Sequence, residues 1–242
     1  MAFRWEEELR QSFQQHAEPS LWCPSPKPGP VRSAIESTCS DGRADWVWAT
    51  LNCSMPANPV AYELMQQPTC SRILAALRVK RRQTDDLLYS VAGVSRLTYR
   101  RFLSHLLDSG LISTDKAGLV SLGPSFQIPD IEICSFEFKL QNWRRAFQQA
   151  RRYRSFSHRV YVVMPPAAAH RAAENVVSFR PFNIGLIRHD ADGISTRLIL
   201  SKKKQPACPS HHIQAIGFLE SQGDAIPARR AKSEIARLQL AR

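Results

Sequence analysis

The chain lacks any stretch that would cross a bilayer: no run of eighteen apolar residues occurs in its 242 positions. Its first residues, Met1-Ala2-Phe3-Arg4-Trp5-Glu6-Glu7-Glu8, have neither a basic opening nor an apolar segment behind it. No secretory leader is therefore expected, and the reading is a cytoplasmic protein without membrane contact. Paired cysteines are missing too. Cys23, Cys39, Cys53, Cys70, Cys134 and Cys208 stand at scattered spacings, which speaks against a disulfide framework and leaves reduced, mostly packed thiols. Cys208-Pro209-Ser210-His211-His212 contains ligand-type side chains, but a structural zinc takes about four ligands in recognisable pairs, and no second pair exists. No internal repeat is evident. Negative charge is also scarce: 21 Asp and Glu face 33 Lys and Arg, for a net charge of +12 and a pI near 9.9. Such a surface attracts polyanions, with nucleic acid the first candidate partner.

What is present falls into three stretches. In the first, Trp5, Leu9 and Phe13 recur at helical spacing, predicting an amphipathic helix over residues 4–16. Pro24, Pro26, Pro28 and Pro30 then impose an extended loop. Two runs of alternating, β-rich residues, 31–37 and 44–50, flank Ser40-Asp41-Gly42 and predict a hairpin. The second stretch is helical: residues 68–82 bury Ile73, Leu74 and Leu77, Thr84 is placed to cap a second helix, and 95–107 form a third that Gly110 ends. A two-stranded ribbon over 111–122 follows, with Lys116 at its tip. The third stretch, past Pro129, alternates strand (131–140), helix (142–155), strand (158–164), alanine-rich helix (167–178) and two short strands (183–189 and 195–200). That alternation predicts an α/β mixed sheet flanked by helices. The tail, 228–242, reads as a basic amphipathic helix.

Within the strand over 131–140, Glu137 and Lys139 fall on one face, about 7 Å apart, while Phe138 and Leu140 point to the other. An acid beside a base suits phosphodiester hydrolysis: the carboxylate can hold a divalent ion against a phosphate, and the ammonium can orient a water or offset developing charge. The helix behind it carries Gln149 and Tyr153 one turn apart on one face, with Trp143, Ala146, Phe147 and Ala150 as its buried side. Arg144, Arg145, Arg151, Arg152 and Arg154 decorate the rest of that helix as phosphate contacts, or as an ordinary solvated basic face.

Together these residues resemble the PD-(D/E)xK nucleases, the restriction-endonuclease-like superfamily, over residues 4–50 and 130–200. The (D/E)xK pair corresponds to Glu137 and Lys139, and Gln149 and Tyr153 match the QxxxY pattern of one branch. The resemblance implies a further acid on a neighbouring strand. Pro129-Asp130 looks like the literal match, yet seven residues of strand, about 23 Å, and an odd offset would separate Asp130 from Glu137 and turn it to the opposite face. Asp45, at the start of the second hairpin strand, is the better choice. The resemblance further implies magnesium or manganese held by Asp45, Glu137 and the carbonyl of Phe138, with Lys139 positioning the water. A glutamate of the first helix often joins such sites. Helical geometry puts Glu6 nearest the buried stripe, ahead of Glu8 and Glu7, although three acids also simply favour a helix N-terminus.

Residues 62–124, three helices and a ribbon, closely resemble a winged helix-turn-helix. The expected organisation is a discontinuous nuclease-like domain, 1–58 plus 126–242, around an inserted winged-helix domain, 60–124. In such modules the third helix commonly enters the major groove. Arg96, Tyr99 and Arg100 are then candidate DNA contacts, with Lys116 at the adjacent backbone and Leu97, Phe102, Leu103 and Leu106 as core. Winged helices also bind proteins. The leading expectation is a DNA endonuclease or nickase, with homodimerisation left open. The rivals are a non-catalytic DNA-binding regulator on a degenerate nuclease fold and an RNA-directed nuclease, for which no aromatic stacking motif is seen.

Overall fold

The computed structural model describes residues 3–16, 22, 31–40, 42–51 and 59–226. The proline-rich loop and the basic tail expected over 228–242 lie outside the described residues. Helix α1 (Glu6–His16) starts with three acids at its positive end and buries Leu9 and Phe13. Trp5 precedes the helix and is 68% exposed, so the expected three-residue stripe has only two members. Strands β1 (Val31–Cys39) and β2 (Gly42–Leu51) form the predicted hairpin, paired from Val31↔Thr50 to Cys39↔Gly42.

Helices α2 (Pro59–Gln66) and α3 (Pro68–Val79) lead to a short strand β3 (Arg82–Gln83) and helices α4 (Asp85–Ala92) and α5 (Arg96–Asp108). Local chemistry fixes these ends. Thr84 accepts from Leu87 N, Ser95 accepts from Thr98 N, and Gly93 adopts φ 67° to close α4. Strands β4 (Ile112–Thr114) and β5 (Val120–Leu122) complete a three-stranded antiparallel sheet of order β3-β5-β4.

The chain then returns to the main sheet with β6 (Ile131–Phe138), α6 (Trp143–Tyr153), β7 (Arg159–Met164), α7 (Pro166–Ala173), α8 (Val176–Phe179), β8 (Ile184–His189), β9 (Ser195–Ile199), α9 (Pro209–Gln222) and β10 (Asp224–Ile226). Seven strands form one mixed sheet, β10-β1-β2-β6-β7-β8-β9, with β6, β7 and β8 parallel and the other pairings antiparallel. The alanine-rich helix expected over 167–178 is two helices, broken around Asn175. Among the described residues no helix is long and apolar enough to cross a membrane.

Both faces of β6 are buried, not one. Phe136 and Phe138 pack beneath α1 against Phe13, Trp46 and Tyr161, while Ile131 and Ile133 join the cluster under α6 and α9. Helix α9 escaped the sequence reading because it is enclosed on nearly all sides and shows no single apolar stripe. A Cβ on Gly217 would stand 2.6 Å from the Tyr62 carbonyl, so only glycine lets α9 cross α2 this closely. Gln214 of α9 joins two distant parts. Its amide donates to Ser71 Oγ in α3 at 2.9 Å, and its oxygen accepts from Ser40 N and Oγ at the hairpin turn, at 3.0 and 2.8 Å.

The Cys208–His212 segment is structural. His212 Nδ1 lies 2.8 Å from the Phe156 carbonyl, and its ring meets His158 edge-on. His158 Nδ1 accepts from Ile133 N at 3.1 Å, which requires a neutral ring. Burial lowers both groups, His158 to about 4 and His212 to about 3. Because both folded pKa values lie below the unfolded one, their contribution to stability is complete above about 6.5 and is lost as pH falls through 4 and 3. Urea unfolding between pH 7 and pH 4 should show a falling midpoint. His158→Asn, whose Oδ1 can accept from Ile133, should flatten the fall.

Candidate active site

The ladder between β2 and β6 runs from Leu51↔Ile131 to Trp46↔Phe136. Asp45 and Glu137 are the next residues along the two strands, close enough for the Asp45 charge to raise the Glu137 pKa. Asp45 Oδ2 accepts from Phe138 N at 2.8 Å, which ties the two strand ends together. Lys139 lies just past the strand. Its ammonium donates to Glu6 Oε2 at 2.8 Å and to the Phe138 carbonyl at 3.2 Å, and it stands 3.3 Å from Glu137 Oε1. Glu6 is thus the first-helix acid that reaches the cluster. Glu8 instead accepts from Arg4 N, and Glu7 pairs with Arg10.

Glu137 is fully buried, and its Oε1 has no hydrogen-bond partner of good geometry, only the nearby ammonium. Burial, then the Asp45 charge, pushes its carboxyl up to about 7. Burial likewise raises Asp45, against the Phe138 N–H and the Lys139 charge. Burial works against the Lys139 ammonium, but Glu6, Glu137 and Asp45 together hold its pKa above the ordinary value.

Tyr153 closes the site from α6. Its hydroxyl lies within bonding distance of two acceptors, Glu137 Oε2 and the Arg43 carbonyl, the latter at 2.8 Å. One phenolic proton cannot serve both. Both contacts are satisfied when Glu137 is protonated and donates to the phenol oxygen, leaving the phenol proton for Arg43. Burial and the Glu137 charge raise the Tyr153 pKa, so the phenol stays neutral. Gln149, one turn earlier, has a buried Oε1 without a partner. The expected pairing of Gln149 and Tyr153 on one face is present, but only Tyr153 touches the acids.

Two residues escaped the sequence reading. Glu36 has a left-handed backbone, φ 53°, in the middle of β1 opposite Asp45, where the ladder skips a pair. Arg10, nearly buried and paired to Glu7 and Gln14, lines a cleft of about 260 Å³ with Glu6, Glu36, Asp45 and Phe138. Neither position stands out in a pattern of apolar spacing. A larger groove of about 760 Å³ lies between α2 and α5, away from these acids.

Glu137 Oε1, a buried oxygen donor without a hydrogen-bond partner, beside Asp45, with both carboxyls raised in pKa, fits a small hard cation that keeps several waters. No preformed cage exists: among the described residues, no three or more His, Cys, Asp or Glu gather closely enough to hold a metal on their own.

The expected DNA contacts divide. Tyr99 is buried and donates to Asp85, so it is core. Arg96 is held between Asp85 at 2.9 Å and Asp86 at 3.2 Å and lies over Tyr89, so its charge is already spent within the unit. Leu97, expected in the core, is 82% exposed, because the α5 face that packs inward carries Tyr99 and Leu106. Arg100 and Lys116 are exposed. On α6, Arg144, Arg151 and Arg152 are exposed, with Arg144 over Trp143 and Arg151 over Phe182. Arg154 turns inward to the Ser157 and His158 carbonyls, at 2.7 and 2.9 Å.

No protein-family model, curated protein or solved structure matches this chain.

Because the folded-state pKa of Glu137 lies above its unfolded value, its contribution favours folding most below about 4.3 and is lost as pH rises through 7. Glu137→Gln should therefore raise the unfolding free energy at pH 8 by roughly 1–3 kcal/mol. Millimolar magnesium should raise the melting temperature of the wild type and leave that of the variant unchanged. Calorimetry reads both.

Proposed function

We propose that the chain is a metal-dependent nuclease that hydrolyses phosphodiester bonds in DNA, on a restriction-endonuclease-like core carrying an inserted winged helix-turn-helix. The observation that supports it most is the meeting of Asp45, Glu137, Lys139 and Glu6, from three separate elements, at the ends of two paired strands. An acid-lysine strand is common by chance. An acid-lysine strand with a second acid opposite it and a helix acid on its lysine is not.

Asp45, Glu137 and the Phe138 carbonyl would hold magnesium or manganese, with Glu6 close by. The bound ion would polarise a phosphate oxygen and lower the pKa of a water. The chain supplies the rest. Lys139 positions the attacking water and offsets charge on the phosphate, since its ammonium is already poised among these oxygens. The Tyr153 hydroxyl donates to the Glu137 carboxylate when it is ionised and holds it in place, and Gln149 brings a further polar group to the same side of α6. Exposed Arg144, Arg151 and Arg152 lie on the helix that carries Tyr153, where a phosphate backbone leaving the site would pass.

One observation favours the rival reading, a DNA-binding regulator on a degenerate core: among the described residues no three metal-ligating side chains are gathered closely enough to hold a metal on their own. Activity separates the two. Supercoiled plasmid should be nicked or linearised with magnesium or manganese and left intact in chelator. Glu137→Ala, Lys139→Ala and Asp45→Ala should each cut at least about a hundredfold more slowly. Equal cutting by the variants, or cutting in chelator, would sink the enzymatic reading.

A further inference from the structure

The end of the sheet remote from Glu137 carries a basic surface that the site does not use. Arg78, Arg81 and Arg82 form one wall of a groove of about 420 Å³ whose other lining includes Gln127 and Ile128, on the segment leading into β6. A second basic run, Lys202-Lys203-Lys204, lies alongside: Lys204 N donates to the His158 carbonyl at 3.1 Å. Arg78 and Lys203 both sit close enough to His158 for their charges to disfavour its protonation. The two segments, far apart in sequence, therefore build one patch. All six side chains are exposed. The acids nearby only partly offset them, Asp130 among them, close enough to His158 to favour its protonation. Arg82 faces Asp115 at 3.7 Å, and Lys203 faces the buried Glu132, which Arg159 already engages. Arg78, Arg81, Lys202 and Lys204 have no ion-pair partner among the described residues.

Concentrated, unpaired cations around a groove lower the stability of the compact chain through mutual repulsion and are relieved by a polyanion. Position identifies which. The patch lies at the start of β6 and the acids at its end, seven residues on, which is about 23 Å of strand. Duplex DNA rises about 3.4 Å per base pair, so a duplex touching both would extend about seven base pairs from one to the other.

We propose that this groove grips the backbone of duplex DNA about seven base pairs from the phosphate presented to Glu137, an inference that rests on the nuclease reading for its geometry but not for its binding. The grip is independent of α5, the helix expected to enter the major groove, and of the ribbon tip. It makes the preferred substrate a duplex that continues well beyond the reacting phosphate rather than a short end or a single strand.

The test uses the full chain, a labelled 30-base-pair duplex and fluorescence anisotropy in chelator across a salt series. Arg78→Glu/Arg81→Glu, with a circular dichroism spectrum and melting temperature like the wild type, should lower the slope of log affinity against log salt by about two. Lys202→Glu/Lys204→Glu should do the same. An unchanged slope in both overturns the proposal, and so does equally tight wild-type binding to polyglutamate, which would mark a surface for acidic protein. Plasmid cleavage is scored separately with magnesium. A lowered slope with no cleavage by any form upholds the groove and removes the nuclease reading. An unchanged slope with normal cleavage does the reverse.

Discussion

The antiparallel ladder between β2 and β6 is the interaction on which the rest of the molecule depends. In sequence these strands lie on either side of four helices and three short strands, yet they pair over six successive positions. Closing so long a loop costs conformational entropy, though the cost grows only slowly with loop length. Register is what the pairing cannot surrender. A slip of one residue would turn Asp45 to the opposite face and Trp46 into the wrong cluster. Trp46, Phe136 and Phe13 pack as a tilted and edge-on aromatic group, so the same register that brings two acids together also completes the core beneath α1.

That arrangement sets electrostatics against stability. Two carboxylates are driven to the edge of the core, each with its ionised form disfavoured, and the neighbouring ammonium only partly compensates. Glu36 adds a left-handed backbone beside them. Structures that need only to stay folded replace such features with apolar packing. Here they concentrate at one end of two interior strands, whereas the buried Glu132 is engaged by Arg159 and Lys203, and His189 by Ser12 and Ser195, at 2.9 and 2.7 Å.

Much of this was legible in the sequence, for reasons that can be named. Thr84 and Gly110 carry their information locally, so those helix ends fall where capping chemistry puts them. The alternation in 31–37 and 44–50 gave the hairpin. Asp45 came from rejecting Asp130 on strand length and face, and Glu6 from helical angle; both reach the cluster. Long-range packing was hidden. Helix α9 has no amphipathic signal because both its neighbours are protein. Tyr99 and Leu97 exchanged their expected roles because the orientation of α5 is set by α3 and α4 rather than by its own pattern. Arg96 offers a charge that its sequence neighbours Asp85 and Asp86 already absorb.

The Gln214 amide, small as it is, changes what kind of machine an insertion can be. An insertion joined to its host only by two peptide connections would swing, and whatever it held would sweep a cone around the site. Here a buried side chain fastens α3 to the turn of the hairpin whose next residues carry Arg43 and Asp45, and Gly217 presses α9 onto α2 alongside. The inserted unit is therefore a bracket. The distance from its surface to the buried acids is fixed when the chain folds, as on a ruler, and is not left to the length of a tether.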